Sequence, residues 1–174
     1  SRKPVMIGSK LESSNAELAL IREDFTKKIK HQTFRQSVNG IEIFQPPIRV
    51  SFDSNGEIIA TSGAVFENAS SAIENPKAKI NAAQAQQIAV GNSGVGLNHF
   101  RVSEAGSSDR MLYFPLSQDR LILAWEQIIW ATETPDAYYI LVDAERGSIL
   151  FRRNLTSYES DPHGLVFNAE SPRP

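Results

Sequence analysis

The chain has 174 residues, 41% of them hydrophobic and 22% charged, with 18 Lys+Arg against 20 Asp+Glu for a net charge of −2. That is enough apolar material for one sizeable core or two small ones, and the lack of basic excess argues against a nucleic-acid partner. Cysteine is absent, which removes disulfide frameworks, thiolate zinc sites and cysteine nucleophiles. No apolar run approaches the ~20 residues of a bilayer span; the densest, Leu121 to Trp130, is interrupted by Glu126 and Gln127. The sequence opens on Ser1 with no signal peptide to read, so a processed or excised chain is expected and its targeting is not read directly.

Taken in order, Glu17 to Phe25 fits a helix through Leu18, Ile21 and Phe25, and a strand through Leu18 and Leu20. The Lys27-Lys28 turn and the meander after it favour a strand. Gln32 to Val38 puts Phe34 and Val38 on one face and Thr33, Arg35 and Ser37 on the other, the period of a half-buried strand. Asn39-Gly40 then precedes Ile41 to Phe44, and Asn-Gly between two such runs predicts a hairpin. Ile48, Val50 and Phe52 alternate with Arg49 and Ser51. The turn Asp53-Ser54-Asn55-Gly56 leads to a return strand from Ile58 to about Gly63.

Residues 64 to 79, rich in Asn, Ser, Lys and Glu, look like a linker. A helix follows. Asn81 is its N-cap and Gln84 the capping-box partner, Ile80 and Ala85 can form a hydrophobic staple, and Gly91 supplies the stop after Val90. Residues 92 to 108 read as a Gly/Ser-rich loop with a short strand around Phe100 to Val102. Strands resume at Met111. Leu121, Leu123, Trp125 and Ile129 share one face and Ile122, Ala124, Ile128 and Trp130 the other, so this strand is expected to be central, under the helix on one side and a partner layer on the other. Tyr138 to Val142 and Ser148 to Phe151 form a last hairpin, and Tyr158 to Pro174 reads as a tail or linker. An echo links the halves: Phe52-Asp53-x-x-Gly56-x-Ile58 resembles Val142-Asp143-x-x-x-Gly147-x-Ile149. The expectation is two small lobes in tandem rather than one large core.

No catalytic constellation emerges. His31, His99 and His163 are far apart, with no HExxH helix. No G-x-S-x-G elbow appears, and Gly91-x-x-Gly94-x-Gly96 follows a helix where a phosphate loop would precede one. The two Asp-to-Gly segments suit hairpin turns better than calcium loops, which spread oxygen ligands over about 12 residues. Lys27-Lys28-Ile29-Lys30-His31 reads as a solvated turn and edge strand, and Trp125 and Trp130 as core rather than a ligand platform. Asn68-Ala69-Ser70 and Asn154-Leu155-Thr156 match the N-glycosylation pattern. No catalytic, cofactor or metal residue is therefore expected.

Two stretches carry a resemblance. His31-x-x-Phe34-x-Gln36-x-x-Asn39-Gly40-Ile41-x-Ile43, followed by Val50-x-x-Asp53-x-x-Gly56, resembles the fungalysin/thermolysin propeptide (FTP) motif. Leu123-Ala124-Trp125-Glu126, with Tyr138-Tyr139-x-x-Val142-Asp143-Ala144-x-x-Gly147-x-Ile149-Leu150, resembles the PepSY domain, and the Ala-rich helix sits where PepSY modules carry theirs. Together they cover about residues 16 to 156 and are most similar to the fungalysin branch of secreted zinc metallopeptidases.

The resemblance implies an α+β fold of two antiparallel-sheet lobes, the second with a short helix packed on its sheet in PepSY/cystatin-like fashion. The implied division is an FTP-like lobe with linker at 1–75, a PepSY-like lobe at 76–156 and a tail at 157–174 leading towards a catalytic domain, with activation cleavage in that tail. Its partner would be that zinc metallopeptidase catalytic domain, which a propeptide helps to fold and holds inactive, outside the cytoplasm in the extracellular or periplasmic space. Neither nucleic acid nor membrane insertion enters. The matching residues Gln36, Asn39, Gly40, Asp53, Gly56, Trp125, Asp143 and Gly147 would be structural; Gln36, on the face of Phe34 and Val38, is a buried amide that must find partners. The alternative expectation is a free-standing secreted or envelope PepSY-type binding module.

Overall fold

The computed structural model describes residues 16–66, 68–75, 77–96, 99–102, 110–117 and 119–156. The expected tail and its cleavage site, together with His163, lie outside the described residues. Among the described residues the architecture is α+β: two sheets and one helix.

The first sheet contains β1 (Ala16–Thr26), β2 (Ile29–Val38), β3 (Ile41–Glu42), β4 (Ile48–Phe52) and β5 (Ile58–Ser62), in the order β1-β2-β4-β5 with β3 paired to β2. Every pairing is antiparallel. The stretch whose pattern fitted both helix and strand is β1. Its partner across the Lys27-Lys28 turn is β2, so His31 lies in a strand flanked on both sides, not at the edge that its basic neighbours suggested. Asn39 and Gly40 both take positive φ, 52° and 78°, the backbone of a type I′ hairpin. That turn sets the register Val38↔Ile41 and Ser37↔Glu42.

The second sheet contains β6 (Ile73–Asn75), β7 (Phe100–Val102), β8 (Met111–Ser117), β9 (Arg120–Ala131), β10 (Ala137–Asp143) and β11 (Ile149–Asn154). β9 is the hub: β10, β8 and β7 pair with it antiparallel and β6 parallel, while β11 pairs with β10. Strand β6 and the turn before it fall inside the segment expected to be a linker. Ala69 and Ala72 are buried there because the small side chains let the chain pass close to the sheet, where the Leu121 amide donates to the Ala72 carbonyl at 2.7 Å.

Helix α1 (Ala82–Ser93) starts at Asn81 with both bonds of the capping box, Gln84 N to Asn81 Oδ1 and Asn81 N to Gln84 Oε1, each 2.9 Å. The expected stop at Gly91 is not used. The helix continues one turn to Gly94, which takes the left-handed φ of 80°. Ser93 ties that end by donating to the Val90 carbonyl and accepting from the Val95 amide.

The helix covers one face of the second sheet. Ala85, Ala89 and Val90 pack with Leu121, Leu123, Trp125, Ile129, Ile140 and Val142. Val38 and Ile43 of the first half join the same cluster, as do Ala69, Ala72 and Tyr113. The two sheets thus share their main core, where tandem lobes with separate cores were expected. A satellite of Phe34, Ile48 and Val50 belongs to the first sheet alone.

Candidate functional site

The motif residues come first, because they place everything else. Gln36 is buried and its amide closes a two-way bridge with the Phe66 backbone, Nε2 to O at 2.8 Å and Phe66 N to Oε1 at 3.0 Å. Gln45 Nε2 also donates to Gln36 Oε1 at 3.3 Å. Asp53 accepts the amides of Asn55 and Glu57 on Oδ1, at 2.8 and 2.9 Å, in a turn completed by Gly56 at φ 84°. Asp143 accepts those of Glu145 and Arg146 on Oδ1, at 2.7 and 2.9 Å, in a turn completed by Gly147 at φ 71°. The sequence echo is therefore an Asx-anchored turn built twice, with its glycine one residue further along in the second. Trp125 is buried, pairs with Val142 across β9 and β10, and donates from Nε1 to the Ile80 carbonyl at 3.0 Å, fastening the entry of α1 to the sheet. These side chains do not converge on a common cavity.

What the fold does converge on is the other face of the second sheet. Period-2 alternation along β9 sends Ile122, Ala124 and Glu126 away from the helix. They are joined there by Leu112 and Phe114 from β8, Tyr139 and Leu141 from β10, and Phe151 from β11. Where a second layer was expected over this face, Phe44 is the ring that the first half lays on it among the described residues. Ile43 turns into the main core, its neighbour Phe44 turns the opposite way, and the Phe44 amide donates to the Tyr113 carbonyl at 2.8 Å. Phe44 lies 5.0 Å from Phe151, 5.8 Å from Tyr139 and 6.0 Å from Phe114, centroid to centroid, within the range in which aromatic pairs attract.

Beside this aromatic cluster a groove of about 310 Å³ opens between the two sheets. Arg35, Glu42, Gln45 and Pro47 line it from the first half, and Arg110, Glu126, Tyr139 and Arg153 from the second. A chain of charges crosses it. Arg35 pairs with Glu42 at 3.1 Å, Glu42 with Arg110 at 2.8 Å, and Arg110 with Glu126 at 2.9 Å. Glu126, 9% exposed, also accepts the Tyr139 hydroxyl at 2.6 Å. A carboxylate this deep in an apolar face is tolerated because a guanidinium and a phenol both bond to it. Burial first, and then the bond to Glu126, push the Tyr139 phenol well above its usual pKa.

Neither an acid–base pair nor a metal cage is assembled in this groove: its carboxylates are each taken by arginine, and the described residues hold no group of three metal-capable side chains. Elsewhere, His31 Nδ1 meets Ser51 Oγ at 2.8 Å across two strands, with the neighbouring Asp24 carboxylate turned to Arg22 and Arg49, so no relay forms. His99 pairs with Glu133 at the surface. No described helix is long and apolar enough to cross a membrane. Of the groove residues, Glu126 and Tyr139 entered the sequence reading as members of the PepSY-like stretch, and Phe44, Arg110, Phe151 and Arg153 were not singled out as site residues. The signal for them was the second apolar face of β9, with Glu126 inside it.

No family model and no curated protein matches the sequence. Among solved structures, the chain is similar to the C-terminal domain of YpeB from Bacillus megaterium, with 19% identity and a TM-score of 0.46 over 80% of this chain and 57% of that one. It is also similar to a candidate lipoprotein from Clostridium difficile 630, with 11% identity and a TM-score of 0.33 over 80% of this chain and 83% of that one. The chain thus spans little more than half the length of the YpeB chain it matches.

Proposed function

We propose that this chain is a non-catalytic, PepSY-type binding module that acts as the propeptide of a secreted zinc metallopeptidase, holding the enzyme inactive and assisting its folding outside the cytoplasm. The observation that carries the binding role is the groove between the sheets, where half-buried aromatic rings lie beside ordered charges. An apolar centre rimmed by charges is the anatomy of a protein interface. The metallopeptidase as partner rests on the FTP-like and PepSY-like residues of the sequence. Gln36, Asn39 and Asp53 order the first sheet, and Trp125, Asp143 and Gly147 the second, while Glu126 and Tyr139 of the PepSY-like stretch line the groove itself.

The test is an inhibition titration. The purified chain is added to the mature catalytic domain of a fungalysin-type zinc metallopeptidase encoded in the same genome. Dose-dependent loss of peptide hydrolysis supports the proposal. Neither inhibition nor binding at micromolar concentrations would sink it, and binding without inhibition would favour a free-standing envelope binding module instead.

A further inference from the structure

We propose that the groove recognises an extended segment of its partner by one carboxylate side chain with apolar side chains two residues to either side, Arg153 receiving the carboxylate and Phe151 with its aromatic neighbours the apolar groups. This rests on the partner-binding role above and names the chemistry that the partner presents.

Charge is the first argument. Among the described residues the groove holds Arg35, Arg110 and Arg153 against Glu42 and Glu126. Both glutamates are occupied by Arg35 and Arg110, whereas Arg153 has no ion-pair partner among the described residues. The groove therefore presents one uncompensated guanidinium, whose planar fork suits a carboxylate.

Spacing is the second. Phe151 and Arg153 are two residues apart on β11 and both line the groove. Strand β11 ends its side of the second sheet, and among the described residues no strand pairs with its outer edge. A segment added there as another strand would place every second side chain over the groove. It would meet Arg153 and Phe151 with residues i and i±2.

The probe is the acetylated and amidated peptide Thr-Phe-Thr-Glu-Thr-Phe-Thr, which suits either strand direction, with Gln and Lys versions of its central residue. Binding is followed through the backbone amide signals of Ile149 to Asn154 by NMR. The Glu peptide is expected to shift them saturably with a Kd below about 1 mM, and the Gln peptide to bind about fivefold more weakly. The Lys peptide binds more weakly still. Arg153→Gln, an exposed change that leaves the core alone, should abolish the preference for Glu over Gln while both peptides still bind. No saturable shift at β11, equal binding of the three peptides, or an Arg153→Gln chain that keeps the preference each overturns the proposal. Inhibition of the metallopeptidase without peptide binding would discard this recognition chemistry and leave the propeptide function standing. Peptide binding without inhibition would do the reverse.

Discussion

The side-chain amide of Gln36 hydrogen-bonds to both backbone groups of Phe66, 30 residues away, donating to the carbonyl at 2.8 Å and accepting from the amide at 3.0 Å. A glutamine so placed stands in for a strand neighbour: it satisfies one donor and one acceptor of a segment that has left the sheet. It lies between Phe34, in the satellite core, and Val38, in the main core. The polar bridge thus marks where the two halves meet.

Gln36→Leu keeps the volume and removes the bridge, leaving the Phe66 N–H and C=O without it. The expected loss is about 3 kcal/mol of unfolding free energy, the cost of orphaned buried polar groups. Urea unfolding followed by circular dichroism measures it. A change within about 0.5 kcal/mol, the size of a neutral surface substitution, would mean that the bridge is dispensable.

Trp125 makes the corresponding tie on the helix side. Trp125→Phe removes the Nε1 donor to the Ile80 carbonyl and some buried volume, with an expected cost of about 2 kcal/mol. Because Ile80 immediately precedes the capped N-terminus of α1, amide exchange in the first turn of the helix should speed up more than exchange in the first sheet. Uniform acceleration would contradict this local role.

Gly147 and Gly56 occupy equivalent turns but different surroundings. An added Cβ at Gly147 would lie 2.9 Å from Ile88 Cδ1, whereas at Gly56 it meets nothing within 4 Å. Each Gly→Ala change should cost about 1 kcal/mol for the left-handed backbone, with a further loss at Gly147. Ile88→Val, which deletes the opposing methyl, should erase that further loss in a double-mutant cycle. A cycle showing no coupling would count against the packing described.

Tyr139 carries a pH dependence whose sign is fixed. Its phenol is held neutral in the folded state by burial and by donation to Glu126, so its folded pKa lies above the unfolded value of about 10. Stability from this group is fully present below pH ~10 and falls as the pH rises beyond it, because only the unfolded chain then releases the proton. Tyr113, raised by burial, adds to the same trend. Tyr139→Phe should flatten the alkaline fall without removing it. Equal slopes for both proteins would place the phenol in solvent.

Much of this fold was legible because local chemistry and tertiary structure agree. The Asn39-Gly40 hairpin, both Asp-to-Gly turns and the Asn81 capping box depend on neighbours within a few residues. What was hidden depends on distant partners. Nothing local marks residues 73–75 as a strand; they form β6 because β9 offers them a parallel edge. Gly91 looked like a helix stop, but an exposed glycine is tolerated inside a helix, and Gly94 provides the left-handed turn with help from Ser93. The groove was least visible of all. Arg110 and Glu126 meet because their backbones are bonded beside the β8–β9 ladder, and the crossing of the first half over the second sheet at Phe44 brings Glu42 to them.

Hydrogen–deuterium exchange of the chain, alone and with the catalytic domain of the fungalysin-type metallopeptidase, tests the central claim most directly. The predicted result is slowed exchange at residues 110–114 and 149–155, the two strands bordering the groove, with the helix face unchanged. Slowing confined to the helix face or to the outer edge of β5, or none at all, would contradict the claim that this groove is where the partner docks.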